Sequence, residues 1–224
     1  MINKLIIFSM LALLVFVLYS CGGGDTSQQQ EDTAQIKSET LQLILIGGPG
    51  AGKGTQAKQI KEAFNIAHIS TGQILRDEVA KGSELGNMVK GIMERGELVE
   101  DKIILNLIEN RLKEPDCESG FILDGFPRTL EQAEELEPIL ERRGDTSLKV
   151  LLLAVSDEEL TKRLLSRGRA DDTEETIKNR IQKFHNETAD AIEYYQKKGN
   201  LIRINGEQGI EAVAAEIAGV LGAK

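Results

Sequence analysis

The stretch Leu41-Gln42-Leu43-Ile44-Leu45-Ile46-Gly47-Gly48-Pro49-Gly50-Ala51-Gly52-Lys53-Gly54-Thr55 decides the fold. A short, strongly apolar run ending in a glycine-rich turn reads as a buried parallel strand. Gly47 to Lys53 fits the frame G-x-x-x-x-G-K, and Lys53 to Phe64 reads as a helix. Glycines let backbone N–H groups converge on a phosphate without a Cβ in the way. The N-terminus of the following helix adds positive potential, and Lys53 adds a mobile full charge. Strand, turn, lysine and helix together predict a phosphate-binding turn built from Gly48, Pro49, Gly50, Ala51, Gly52, Lys53, Gly54 and Thr55. Gly54 stands where many such turns carry Ser or Thr, with Thr55 one place later.

Downstream of this turn, apolar strands alternate with helical stretches. Strands are expected at Ala67–Ile69, Phe121–Leu123, Leu148–Val155 and Leu201–Ile204. Helices are expected at Thr71–Lys81, Glu84–Arg95, Asp101–Leu112, Thr129–Arg142, Thr173–Lys197 and Ile210–Leu221. Ser156-Asp157-Glu158-Glu159 reads as a capping box opening one more helix. The alternation implies an α/β domain over residues 41–224, with a five-stranded parallel sheet covered by helices on both faces. Ligands in such sheets bind beyond the carboxyl ends of the strands.

Upstream, residues 1–20 hold one early lysine, Lys4, and then an apolar run from Leu5 to Leu18. That run is short for a membrane-spanning helix, which needs about 20 apolar residues, and fits the core of a secretory signal peptide. The stretch Leu18-Tyr19-Ser20-Cys21 resembles a bacterial lipobox, so Cys21 is expected to carry lipid after cleavage. A short uncleaved anchor is the alternative. Residues 21–40 are rich in Gly, Gln, Ser, Thr and acids, and are expected to form a flexible linker between the lipidated cysteine and the domain. The expected location is a membrane-anchored lipoprotein on the extracytoplasmic side.

The chain has 224 residues and a formal net charge of −9, with 4% aromatic residues. An acidic, aromatic-poor chain is a poor partner for nucleic acid, and none is expected. Two cysteines, Cys21 and Cys117, exclude a disulfide framework and a four-cysteine zinc site, so no structural zinc is expected. His68 and His185 read as structural or surface residues, and Cys117 carries no assigned role.

Further motifs follow the phosphate turn in a fixed order. They are Ser70-Thr71-Gly72-Gln73-Ile74-Leu75-Arg76, Gly96-Glu97-Leu98-Val99, Phe121-Ile122-Leu123-Asp124-Gly125-Phe126-Pro127-Arg128 with Gln132, the cluster Arg163, Arg167, Arg169, Asp171, Asp172 and Arg180, and Ile204-Asn205-Gly206. In this order and spacing they resemble the adenylate kinases, P-loop nucleoside monophosphate kinases, across essentially all of residues 41–224.

The resemblance implies reversible phosphoryl transfer from ATP to AMP, giving two ADP, with Mg²⁺ as cofactor. It implies a helical AMP-binding segment at about 70–99, a lid at about 163–172 and a monomer; the family's usual location is the cytoplasm. ATP would lie on the phosphate turn with Arg163, Arg167 and the backbone of Gln208. AMP would be held by Thr71, Arg76, Glu97, Leu98, Val99, Gly125, Phe126, Pro127, Arg128 and Gln132, with Arg169 and Arg180. Lys53, Arg128, Arg163, Arg169 and Arg180 would carry catalysis. Asp124 would order water around Mg²⁺.

The chemistry suits these residue types. Transfer between two highly negative molecules is mainly positioning and charge stabilisation. Arginine forks bind phosphate oxygens bidentately and stay charged. Asp124 closes an apolar strand, where a carboxylate is costly without a partner; the alternative is a cap for the Gly125-Phe126-Pro127 corner. Gln132 can donate and accept at once, which suits an adenine edge. Two rival functions stand beside this one: a kinase accepting UMP or CMP, and a surface lipoprotein that binds nucleotide without turnover.

The sequence departs from the family in two places. Only Gly168 separates Arg167 from Arg169, so the lid is very short, and the two arginines are expected to compete for reach to the phosphates. Gln73 stands where an acidic residue is usual.

Overall fold

The structure is a computed structural model that describes residues 40–145, 147–169 and 172–222. The expected signal peptide, Cys21, the linker before Thr40, and Asp171 lie outside the described residues.

The chain alternates strand and helix from Leu41 onward. Its first half runs β1 (Leu41–Gly47), α1 (Lys53–Phe64), β2 (Ala67–Ser70), α2 (Thr71–Lys81), α3 (Glu84–Glu94) and α4 (Asp101–Leu112). A single 3-10 turn at Pro115–Cys117 leads to β3 (Gly120–Asp124) and α5 (Leu130–Arg143). The second half is β4 (Leu148–Ala154), α6 (Asp157–Arg167), α7 (Glu174–Lys197), β5 (Leu201–Asn205) and α8 (Ile210–Leu221). The 3-10 turn is absent from the sequence reading; Pro115 opens it, and the Cys117 N–H closes it on the Glu114 carbonyl.

The strands form one parallel sheet in the order β2-β3-β1-β4-β5. Successive residues of each strand face opposite sides, and both sides are apolar. Leu43, Leu45, Ile122, Leu151 and Leu153 pack with α1, α6 and α8. Ile44, Ile46, Phe121, Leu123, Val150 and Leu152 pack on the other face with residues of α4, α5 and α7. This double burial explains why β1, β3 and β4 read as near-continuous hydrophobic runs.

Register sets the height of the site. Ser70 pairs with Asp124, and Asp124 with Leu45. The carboxyl ends of β2 and β3 therefore finish at one level, beside Leu45, and β1 runs two residues further to Gly47. The segment 70–99 holds α2 and α3, which meet so closely at Gly86 that a Cβ there would stand 2.1 Å from the Glu78 carbonyl oxygen.

The capping box expected at Ser156 does not form. Ser156 is the N-cap of α6, but its side chain makes no capping bond. Its backbone N–H donates instead to Glu207 Oε1 at 3.0 Å. Glu159 is drawn to Arg163, four residues along the helix, at 2.8 Å. The Ser156 N–H already has a carboxylate partner in Glu207, and Glu159 is left to pair with the full cation of Arg163.

Candidate functional site

The phosphate turn lies between β1 and α1. Gly50 (φ +88°) and Gly52 (φ +93°) take left-handed backbone that a side chain would strain. Gly48 is pressed on α6: a Cβ there would stand 2.4 Å from Leu160 Cδ1. Lys53 folds back over the turn and donates to the carbonyls of Gly47 (2.7 Å) and Gly48 (3.0 Å). Burial lowers its pKa to about 8; Asp124 opposes that shift, while Arg128 and Arg167 add to it.

Asp124 closes β3, with 10% of its side chain exposed. Its Oδ2 accepts from His68 Nε2 at 3.2 Å. Burial alone would raise this carboxyl, but the His68 hydrogen bond and the Lys53 charge reverse that, and its pKa lies below the ordinary aspartate value. The carboxylate reading of this residue therefore has its partners, and His68, expected to be a structural or surface residue, lines the cavity and holds Asp124.

Beyond Asp124 the chain turns through a cis Phe126–Pro127 bond. Thr71 Oγ1 and Arg128 Nε both donate to the Gly125 carbonyl, at 2.9 and 3.0 Å. Gln132 is 2% exposed; its Oε1 accepts from the Arg128 N–H at 2.7 Å and its Nε2 donates to Asp101 Oδ1 at 2.6 Å. On α2, Gln73 bridges two charges: Oε1 accepts from Arg76 Nη2 (3.0 Å) and Nε2 donates to Asp77 Oδ1 (2.8 Å). A carboxylate could accept from Arg76 but would repel Asp77, which gives the neutral amide a physical reason at that position.

On the opposite side, Arg163 donates to Glu159 (2.8 Å) and to the Gly206 carbonyl (3.0 Å). Arg167 grips Asp172 with two bonds, at 2.8 and 2.7 Å, and Arg180 adds a third at 3.0 Å. The Asp172 side chain is 1% exposed. One buried carboxylate thus holds two guanidinium groups at the α6–α7 connection.

These parts surround one cavity of about 990 Å³ at the carboxyl end of the sheet. Pro49, Gly50, Gly52, Lys53, Gly54 and Thr55 line it from the phosphate turn. Thr71, Arg76, Glu97, Leu98 and Val99 line it from the helical segment. Asp124, Gly125, Pro127, Arg128 and Gln132 form its floor, and Arg163, Arg167, Arg169 and Arg180 its remaining wall. Arg167 and Arg169 reach the same cavity despite the single glycine between them.

Four expected residues do not line it. Ala51 is buried in the core and Gly48 is packed on Leu160. Phe126 is wholly buried beneath the floor. Gln208, expected to offer its backbone, is absent from the lining, and its side-chain Nε2 donates to the Asn205 carbonyl and to Glu216 at 2.7 Å, within the β5–α8 turn. Conversely, Lys183, Phe184 and Thr188 line the cavity and were missed. The signal existed, because Arg180, Phe184 and Thr188 recur every four residues on one face of α7.

Among the described residues no three His, Cys, Asp or Glu side chains converge on a common point. An all-protein cage for a divalent cation is therefore not built there. Mg²⁺ needs no such cage; it keeps waters and phosphate oxygens and takes one or two carboxylates. Asp124 is a carboxylate of that kind, placed 3.6 Å from where a Cβ of Gly54 would stand and so facing the phosphate turn. The donor set fits a magnesium ion carried in mainly by nucleotide phosphates.

A parallel sheet with this turn, a deep lysine and opposed arginine walls defines an α/β kinase of the P-loop class. The family model described as adenylate kinase matches residues 45–200. The chain is 49% identical over 175 residues to adenylate kinase 1 of Synechocystis sp., covering 78% of this chain and 94% of that one. It is 47% identical to an adenylate kinase of Synechococcus sp., over 80% and 97% of the two chains. It is 44% identical to that of Parvibaculum lavamentivorans, over 81% and 92%. The chain belongs to the adenylate kinase family.

Proposed function

We propose that the protein transfers the γ-phosphoryl group of ATP to AMP, reversibly, releasing two ADP. The observation that carries this is one cavity in which the phosphate turn with Lys53 faces Arg76 and Arg128 across the ends of β1 and β3. In the reaction, the P–O bond between the β,γ-bridging oxygen and the γ phosphorus breaks. A bond forms between that phosphorus and an oxygen of the AMP phosphate.

The acceptor is already an anion, so no strong general base is required. Turn N–H groups and Lys53 hold the donor phosphates; Arg76 and Arg128 hold the acceptor phosphate. Arg163, Arg167, Arg169 and Arg180 offset the charge that gathers between the two nucleotides, and fixed charges of this kind cost no reorganisation during transfer. Magnesium, bound with ATP, would supply charge neutralisation at the phosphates; Asp124 would hold its water. Thr71 and Gln132 select the acceptor base.

The test is ADP production by the purified full chain with ATP, AMP and Mg²⁺, run beside Lys53→Ala and Arg128→Ala. Stoichiometric, AMP-dependent ADP that both substitutions abolish is expected. ATP binding with no ADP would favour a nucleotide-binding protein, and preference for UMP or CMP would reassign the acceptor. Because the α6–α7 lid is short, ATP hydrolysis without AMP should be measurable beside transfer. A hydrolysis rate negligible next to transfer would count against leakage through the lid.

We also propose that the protein is a monomer anchored through lipid on Cys21. The support is the sequence Leu18-Tyr19-Ser20-Cys21 after a short apolar run, followed by a polar linker. Labelling cells with a radioactive fatty acid tests the anchor. No label on the wild type, or label unchanged by Cys21→Ala, would sink it.

A further inference from the structure

We infer that Asp101 is a positioning residue that fixes which way round the Gln132 amide faces, and thereby which purine the acceptor pocket admits. The inference rests on the ATP:AMP reading above.

Both partners of the Gln132 amide can act in only one sense. The Arg128 backbone N–H can only donate, and it meets Oε1 at 2.7 Å. The Asp101 carboxylate accepts, and it meets Nε2 at 2.6 Å. Turned by half a revolution, the amide would set its NH₂ against an N–H and its oxygen against a carboxylate. Two hydrogen bonds would be lost in a side chain that is 2% exposed, where unpaired polar atoms are costly. The carboxylate is itself pinned, because its Oδ2 accepts from Thr129 Oγ1 at 2.7 Å. Thr129 Oγ1 in turn accepts from the Gln132 backbone N–H at 3.1 Å and caps α5. Asp101, at the start of α4, thus holds both the amide and the helix end that carries it.

Each bond uses half of what the amide offers. One N–H and one oxygen lone pair are left, in a fixed sense, on a residue that lines the cavity. An adenine edge offers an acceptor at N1 and a donor at the 6-amino group. Hypoxanthine reverses both, with a donor at N1 and an acceptor at O6. An amide locked one way matches one of these bases, whereas an amide free to turn accommodates either.

The test compares the full-length wild type with Asp101→Asn, which keeps size but can present either end of its own amide. The readout is kcat/KM for AMP and for IMP at saturating ATP. The expected result is a roughly tenfold fall in the AMP:IMP ratio, carried mainly by the KM for AMP, with the KM for ATP unchanged. Thr129→Val removes both the pin on the carboxylate and the cap of the helix that carries Gln132, so it lowers the ratio in the same direction. An unmoved ratio in Asp101→Asn, or a proportional loss with both acceptors, overturns the inference. ADP formation by the wild type with any of these results leaves the kinase reading standing; no ADP from the wild type removes both.

Discussion

His68 Nε2 stands 3.2 Å from Asp124 Oδ2, at the point where β2 and β3 end side by side. The carboxylate can only accept, so the imidazole donates. That bond aims a nearly buried carboxylate at the phosphate turn. His68→Leu should lower kcat roughly tenfold, the lower end of what loss of a partner to a metal-associated carboxylate costs. His68→Gln, which restores an N–H, should recover most of it. Equal losses in the two variants would mean that packing, not the hydrogen bond, is what His68 supplies.

Lys53 titrates near pH 8 in the unliganded protein because burial disfavours its charge. Phosphates beside it favour the charge. ATP binding above pH 8 must therefore take up a proton, and affinity should fall as pH rises past 8, by at most about tenfold per unit. Calorimetry at pH 9 in buffers of different ionisation heat reads that uptake directly. Stability carries the opposite sign. Below about pH 8 the folded state holds a charge it disfavours, and that cost fades as pH rises from 8 toward 10.5. Lys53→Met should thus abolish transfer yet raise the melting temperature at pH 7, with the gain shrinking by pH 10.

Asp172 joins Arg167 and Arg180 from a side chain that is 1% exposed. Asp172→Ala leaves two cations facing each other at the α6–α7 connection. The arginines are partly solvated, which moderates the loss to about 1–3 kcal/mol in urea unfolding. The kcat should fall with it, since both guanidinium groups line the cavity. A variant with wild-type stability and turnover would show that other contacts hold the two arginines.

Gly86 marks the closest approach of α2 and α3. Gly86→Ala forces the two helices apart, because its new carbon would meet backbone rather than a flexible side chain. A destabilisation of about 1–3 kcal/mol is expected, together with a severalfold rise in the KM for AMP. The KM for ATP should hold, since α2 and α3 flank the acceptor end of the cavity. A matching rise for both nucleotides would contradict this division.

The strands β1, β3 and β4 and the phosphate turn were legible because burial on both sheet faces leaves a nearly continuous apolar run, as in Val150–Val155. Helices α1, α2 and α8 were likewise bounded by periodicity and glycine, and α4 by periodicity and Pro115. Side-chain partnerships across elements were not legible. Nothing local to His68 points to Asp124, 56 positions away, and nothing near Asp101 points to Gln132, 31 positions away. The capping box at Ser156 failed for the same reason, since Glu207 arrives from a distant turn. Gln208 was expected to offer its backbone to the base; its side chain is held by Glu216 of α8, a partnership its place in the motif did not reveal.

Among the described residues, the sheet separates two cores that share no buried side chain. One face gathers Leu75, Val89 and Val99 beneath the acceptor end, and the other gathers Leu160, Leu164 and Val213 behind the phosphate turn. Strand substitutions buried on opposite faces are separated by a layer of hydrogen-bonded backbone, so their effects on stability should add, whereas α7 sends Ile177 and Ile181 into one core and Ala191 and Tyr195 into the other. A lineage could therefore retune how one nucleotide is received by repacking one face while the other face drifts at its own pace. The molecule carries two separately adjustable halves on a single covalent scaffold.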